Sequence, residues 1–275
     1  MSKQSISTQA SAVVTGAGSG IGRAFALELA ARGGRVICAD INLATAEETV
    51  DLIAAKGGQA HALRCDVSQL ADVEALAEQA EAWLRGPVSL VINNAGVGAG
   101  GQVVGDMPIA DWQWALGINL WAVIHGCHVF APRLRALGRG GIINVCSTAS
   151  FAAAPRMAAY NVSKAAALAL SETLAAEMAG TGIAVTALCP TFVKTNIARD
   201  GRISAGSSRL AAKIMDLVGF APERVAKSTL DALDKNQLYV LPQFDARMIW
   251  RSKRLAPALY ARGAGLINRY AGSNL

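Results

Sequence analysis

Thr15-Gly16-Ala17-Gly18-Ser19-Gly20-Ile21-Gly22 is the stretch on which the reading of this chain turns. Ala12-Val13-Val14 before it is a short apolar run of strand type. Arg23-Ala24-Phe25-Ala26-Leu27-Glu28-Leu29-Ala30 after it has helical periodicity. Strand, glycine turn and helix in that order form the context of a dinucleotide-binding turn. The glycines permit positive φ and let backbone come close to a pyrophosphate. The helix N-terminus adds free N–H groups and the positive end of its dipole. Gly16, Ser19, Gly20, Ile21 and Gly22 are therefore the positions expected to hold the phosphates. Glycine turns also join strands to helices without a ligand, so the reading needs support from elsewhere in the chain.

The second strand supplies it. Arg35-Val36-Ile37-Cys38-Ala39 ends at Asp40, about 20 residues past the glycines, where a carboxylate can hydrogen-bond the adenosine ribose of NAD. The same charge repels the 2′-phosphate of NADP. No basic residue follows, because Ile41 and Asn42 come next, and Ser19 occupies the turn position from which a cation could grip that phosphate. NAD is the expected cofactor. The alternative reading of Asp40 is a helix N-cap, for which Asn42 is better placed.

Tyr160-Asn161-Val162-Ser163-Lys164 carries the chemistry. Tyrosine and lysine four residues apart in an alanine-rich helical segment share one face. A neighbouring cation favours phenolate, so Lys164 is expected to pull the Tyr160 pKa down from about 10. Such a phenol can take a proton from an alcohol or return one to a ketone. Ser147 stands 13 residues upstream of Tyr160, at the end of an apolar run.

At these residues the chain resembles the short-chain dehydrogenase/reductase family, from about residue 11 to about residue 241. Thr15 to Gly22 is similar to its glycine motif, Asp66-Val67 to its adenine-contacting pair after the third strand, and Asn93-Asn94-Ala95-Gly96 to its motif after the fourth. Asn119, Ser147, Tyr160 and Lys164 match its catalytic tetrad. Pro190 to Thr195 resembles its Pro-Gly-x-Val-x-Thr segment, with Thr191 where glycine is usual. The resemblance implies a Rossmann-like, doubly wound α/β fold with a parallel sheet. It adds Asp66, Val67, Asn93, Ala95, Gly96, Pro190, Val193 and Thr195 to the cofactor contacts, together with Tyr160 and Lys164. It implies that Ser147 binds the substrate oxygen while Tyr160 moves the proton. Lys164 holds the nicotinamide ribose, and Asn119 holds a water that links Lys164 to solvent.

Composition agrees with one α/β domain. The chain has 275 residues, 52% of them hydrophobic and 17% charged, without a linker, repeat or low-complexity segment. That balance suits a sheet covered by helices on both faces. Cys38, Cys65, Cys127, Cys146 and Cys189 are odd in number and lack metal-ligand spacing, which reads as a reducing, cytoplasmic compartment. His61, His125 and His128 form no metal pattern, so no metal is expected. Met1 to Ala10 lacks the apolar core of a signal peptide. Trp112 to Pro132 is uncharged for 21 residues. Its Gln113, Asn119, His125 and His128 argue for a buried helix and against a membrane span. Together with the alanine-rich segment from Ala158 to Met178 it predicts a homodimer or homotetramer.

Residues 1–245 form the expected catalytic domain, and their charges balance. Residues 246–275 carry Arg247, Arg251, Lys253, Arg254, Arg262 and Arg269 and no acidic residue, and so hold the whole net charge of +6. A pI near 9.2 therefore does not point to nucleic acid. Apolar and aromatic residues alternate with these cations at helical intervals. The favoured reading is a helix packed over the substrate loop or a partner subunit, and the alternative is a helix lying on a membrane surface. The substrate pocket is expected between Gly98 and Met107, Thr148 and Met157, and Thr191 and Val218, lined by Phe151, Met157, Phe192, Ile197, Ile203, Leu210, Ile214 and Leu217. Arg156, Arg199, Arg202 and Arg209 lie nearby in sequence, and Asp200 to Ser208 reads as a mobile lid. A hydrophobic secondary alcohol or its ketone fits this lining. The competing readings are an NADPH-dependent ketoreductase and a cofactor-binding scaffold without turnover. Asp40 opposes the first and the intact tetrad opposes the second.

Overall fold

The structure, a computed structural model, describes residues 5–198 and 201–271. It begins with three strand–helix units: β1 (Ser11–Thr15), α1 (Gly20–Ala31), β2 (Arg35–Asp40), α2 (Leu43–Ala54), β3 (Gln59–Arg64) and α3 (Leu70–Leu84). Then follow β4 (Leu90–Asn93), the short β5 (Ala99–Gly100), α4 (Ile109–Leu116), a π turn over Gly117–Trp121, and α5 (Ala122–Leu137). β6 (Gly140–Val145), α6 (Ala149–Ala152), α7 (Ala158–Glu177) and β7 (Ile183–Leu188) complete the centre. The chain ends with β8 (Arg202–Ile203), α8 (Ala205–Val218), α9 (Pro222–Asp234), β9 (Tyr239–Val240), α10 (Phe244–Leu255) and α11 (Pro257–Ala271).

Seven strands pair in the order β3-β2-β1-β4-β6-β7-β9, every pair parallel. Parallel strands need crossovers, and each crossover lays a helix on a face. α1 packs on α9 over one face, while α3, α5 and α7 cover the other. The central strands are buried on both sides, which explains their unbroken apolar runs. The strand order reverses between β1 and β4, so a crevice opens beyond their C-terminal ends.

The uncharged run lies in the continuous helix Ile109–Leu137, which is long and apolar enough to cross a membrane by length and composition. Here it packs against α3, α7, β4 and β6 as a core helix. Asp200 is outside the described residues, and the rest of the expected lid is not an irregular loop. Arg202–Ile203 pairs with β5, and α8 begins at Ala205. Arg202 is held there by Asp111 at 2.7 Å and by the Trp114 ring at 4.5 Å.

The N-terminal segment is pinned to the end of α9. Asp234 accepts hydrogen bonds from Ser5 Oγ (2.7 Å), Ser7 N (2.9 Å) and Ser7 Oγ (2.7 Å). Burial pushes its carboxyl pKa up, but the serine donors together outweigh that and hold it below the usual value. A carboxyl with a depressed folded-state pKa stabilises above its unfolded pKa of about 3.9 and loses that contribution as pH falls through the folded value. Asp234→Ala is therefore expected to cost about 1–3 kcal/mol at neutral pH, with a smaller deficit in acid. Urea unfolding at both pH values checks this. An equal deficit at both would contradict the charge-dependent part.

Candidate active site

The glycine turn is shaped by its neighbours. Gly16 and Gly20 take φ of 64° and 53°, a region that strains any β-carbon. Space is also missing. A β-carbon on Gly16 would lie 2.9 Å from Ala95 Cα, and one on Gly22 would overlap the Gly16 carbonyl and the Asn94 amide. Asn94 clamps the turn, its Nδ2 donating to Thr15 O at 2.8 Å and Gly16 O at 3.1 Å. The N–H groups of Asn94 and Ala95 donate to Thr15 Oγ1 at 3.0 and 3.2 Å. Ser19 occupies the N-cap of α1 without a side-chain cap bond, and the first turn has no acidic residue. The helix N-terminus is thus left to an external anion, and backbone can approach it closely. A dinucleotide pyrophosphate fits this cradle.

Asp40 stands at the edge of the same turn. Its Oδ2 accepts the Gly18 N–H at 2.9 Å and its Oδ1 the Asn42 N–H at 3.0 Å. Asn42 is the N-cap residue of α2, but its side chain makes no cap bond. Arg23 also reaches the turn. Its guanidinium is committed to Glu48 at 2.9 Å, Thr49 Oγ1 at 3.0 Å and the Gly18 carbonyl. Asp66 turns inward locally, its Oδ1 accepting from Ser68 N at 3.0 Å and Ser68 Oγ at 2.7 Å. Val67 is buried, and its carbonyl lies 3.1 Å from His125 Nδ1.

Pro190 to Thr195 walls the opposite side. A β-carbon on Gly20 would come within 2.9 Å of Thr195 Cγ2, so the segment meets the glycine turn. Val193 is buried and bridges Phe220. Thr191, in the usual glycine position, is absent from the residues with positive φ, so the larger side chain fits without strain. Gln243 braces this wall, accepting from Thr191 N at 3.2 Å and donating to Phe192 O at 3.0 Å. Asp245 accepts from the Thr191 hydroxyl at 3.1 Å.

Asn119, Ser147, Tyr160 and Lys164 come together beyond the C-terminal ends of β4 and β6. Tyr160 and Lys164 lie one turn apart on α7, and the Ser147 side chain stands near enough to the Tyr160 hydroxyl to lower its pKa. The Ser147 hydroxyl also accepts the Ala149 N–H at 3.1 Å. Lys164 is buried, with Nζ donating to Val145 O at 2.8 Å. A β-carbon on Gly96 would sit 3.0 Å from Asn119 Oδ1 and 3.3 Å from Lys164 Nζ, so these two flank the Gly96 backbone.

Two expectations change here, and Asn119 gains a further role. Lys164 does not dominate the Tyr160 pKa. Its ammonium is 5.9 Å from the ring centroid, and burial, the larger effect, raises the phenol above its ordinary value despite Ser147. Burial likewise lowers the pKa of Lys164 itself. The Asn119 side chain also has a structural task. Its Oδ1 accepts Val97 N–H at 2.8 Å and its Nδ2 donates to Val97 O at 2.9 Å, locking the π turn to the strand-end loop. Finally, Asn93 points away from the cleft. It donates to Asn144 Oδ1 at 2.8 Å, and Asn144 donates to Ser171 at 2.9 Å, so the pair ties β4, β6 and α7 together.

The expected substrate lining is only partly assembled. Ile203 approaches Gly98, and Met157 approaches Gly100, on the cleft side of β5. Phe192 is partly exposed, whereas Leu217 faces solvent. Arg199 and the side chains of Leu210 and Ile214 lie outside the described residues. All five cysteines are free and buried, and burial pushes Cys38, Cys65 and Cys127 up to about 12. Among the described residues no group of three or more His, Cys, Asp or Glu could hold a metal. Asn94, Gln243 and Asp245 were missed as positioning residues. Only Asn94, inside a quoted motif, carried a local signal.

Comparison with known proteins agrees with this geometry. A family model described as short chain dehydrogenase matches residues 10–204. EphD of Mycobacterium tuberculosis is 38% identical over 234 residues, 82% of this chain but 39% of EphD. The chain therefore spans well under half the length of that relative. The 7alpha-hydroxysteroid dehydrogenase of Escherichia coli is 37% identical over 185 residues, 67% of this chain and 71% of the relative. The crystal structure of a short chain dehydrogenase/reductase from Burkholderia phymatum in complex with NAD superposes with a TM-score of 0.87 at 33% identity, covering 93% of this chain and 96% of that one.

Proposed function

Because the chain belongs to the short-chain dehydrogenase family, we propose that it interconverts a hydrophobic secondary alcohol and its ketone, with NAD as the preferred cofactor. The observation that carries this reading is the convergence of the Tyr160 hydroxyl and Ser147, one helical turn from the buried Lys164. NAD held in this cleft would supply the hydride acceptor for the alcohol, and NADH the hydride donor for the ketone. Ser147 hydrogen-bonds the substrate oxygen. Tyr160 takes the hydroxyl proton in oxidation and gives it back in reduction. Lys164, anchored at Val145 O, presents its remaining donors to the ribose hydroxyls. Asn119 acts as a positioning residue, because it holds Val97 and the Gly96 backbone beside Lys164.

The glycine turn would hold the pyrophosphate, Asp40 the adenosine ribose, and Asp66 and Val67 the adenine, while Ala95, Gly96, Pro190, Val193 and Thr195 line the nicotinamide half. The relative named for a hydroxysteroid supports an apolar alcohol. A homo-oligomer formed through α5 and α7 is supported by Trp121 and Val162, large apolar residues left exposed at these helices. A cytoplasmic enzyme is consistent with its free, buried thiols.

The test is a panel of secondary alcohols, hydroxysteroids included, with NAD and NADP, followed by absorbance of the reduced cofactor. NAD is expected to support the higher kcat/KM. Asp40→Ala should narrow the preference about 10-fold or more, since a charge-assisted hydrogen bond contributes about 1.5–3 kcal/mol. Better use of NADP by the unaltered enzyme would overturn the assignment of Asp40.

A further inference from the structure

We propose that α10 and α11 dock this enzyme onto an anionic lipid surface. From residue 246 onward the chain has six cations and no acid. None of these cations forms an ion pair among the described residues. The two helices differ in how they are held. α10 packs on α6, with Trp250 against Tyr239 at 6.0 Å between centroids, whereas α11 packs mainly on α10. Their outer residues are large and apolar.

At 100° per residue, Phe244, Met248 and Leu255 fall within about 40° of one another on α10, with Arg251 in the same stripe. Leu259 and Leu266 fall within about 20° on α11, with Arg262 beside them. All five apolar residues are exposed, Leu255 at 85% and Leu259 at 70%. A monomeric soluble protein rarely leaves such residues clustered in water.

A cavity adjoins the α10 stripe. It measures about 500 Å³, lies between α9, β9 and α10, and is lined by Arg224, Arg247 and Arg251 together with Phe220, Tyr239 and Trp250. No acidic residue lines it. The Arg224 guanidinium rests on the Phe220 ring at 4.4 Å, and Arg247 Nε donates to Leu241 O at 2.9 Å. Both are oriented by neutral partners and keep their charge for an incoming anion. Three guanidinium groups with aromatic walls suit a phosphate-bearing headgroup, because guanidinium binds phosphate through paired N–H donors.

Charge decides between the occupants. A second copy seated on this face would bring six cations against six, and the one carboxylate on these two helices, Asp245, is already held by Thr191. Nucleic acid would satisfy the arginines but leave Met248, Leu255, Leu259 and Leu266 without an apolar partner. A bilayer surface with anionic headgroups satisfies both, as amphipathic basic helices do.

Co-sedimentation of the full chain with vesicles tests the proposal. Binding is expected to phosphatidylcholine vesicles containing phosphatidylglycerol, to fall steeply as salt rises, and to be much weaker on phosphatidylcholine alone. Leu259→Asp with Leu266→Asp should abolish it. Arg251→Gln with Arg262→Gln should lower the partition coefficient roughly fivefold per cation removed. These positions lie outside the candidate active site, so turnover of a water-soluble alcohol should not change. Equal binding to both vesicle types, or binding unaffected by either double variant, would overturn the proposal. So would a smaller oligomer by light scattering in the leucine variant, which would make the face a contact between copies. Comparable affinity for a DNA duplex at the same salt would also overturn it.

Discussion

Tyr160→Phe is expected to lower turnover by at least about 10²–10⁴-fold, the usual contribution of a positioned acid or base, while NAD binding stays near that of the unaltered enzyme. The phenyl ring keeps its place on α7, and only the hydroxyl beside Ser147 is lost. The pH dependence gives a second readout. Burial raises the Tyr160 pKa, against the lowering by Ser147. Alcohol oxidation needs the phenolate, so its rate should climb with pH into the alkaline range. Ketone reduction needs the phenol, so its rate should hold at neutral pH and fall across that same range. Initial rates in both directions as a function of pH check the sign. A Phe variant that kept the rate and the two opposed profiles would sink Tyr160 as the proton carrier.

Gly22→Val should weaken dinucleotide binding with little effect on Tyr160. A β-carbon at Gly22 meets the Gly16 carbonyl and the Asn94 amide, and its nearest approach to Gly16 C is 2.8 Å. None of these atoms is the far end of a flexible chain. Gly16 belongs to the turn itself, and Asn94 Nδ2 is held by two carbonyls. Overpacking of this kind costs about 1–3 kcal/mol, divided between fold stability and affinity, so NAD affinity should drop by up to roughly 100-fold. Gly86→Ala is the control, because nothing lies within 4 Å of its added β-carbon. Calorimetric titration with NAD and a thermal melt of each variant separate the two effects. Unchanged affinity in Gly22→Val would remove the turn from the cofactor site.

Much of the architecture was readable because it rests on local rules. An apolar run, a glycine turn and a helical period specify β1, the turn and α1 wherever they occur. Alternation of such units requires parallel pairing and a crevice at the reversal of strand order. The shared face of Tyr160 and Lys164 likewise follows from 3.6 residues per turn.

Other features depend on what the chain brings together from far away. Asn93 and Asn94 are adjacent and chemically identical, yet one ties β4 to β6 and the other clamps the glycine turn. Successive side chains of a strand point to opposite faces, so only the assembled sheet says which amide meets Thr15. Gln243 braces Thr191 across 52 residues, a pairing that no spacing rule announces. The Tyr160 pKa was read from its charged neighbour alone, but the depth of burial proved the larger influence, and burial is a property of the packed whole.

The tail marks the same division. Composition and spacing already mark residues 246–275 as basic, apolar in part and helical in period. Long-range packing is what lays α10 on α6, where its first residues brace the cleft wall, and turns the leucines of α11 outward. Periodicity defines which residues share a face. Which face is covered depends on the surface that the rest of the chain offers to it.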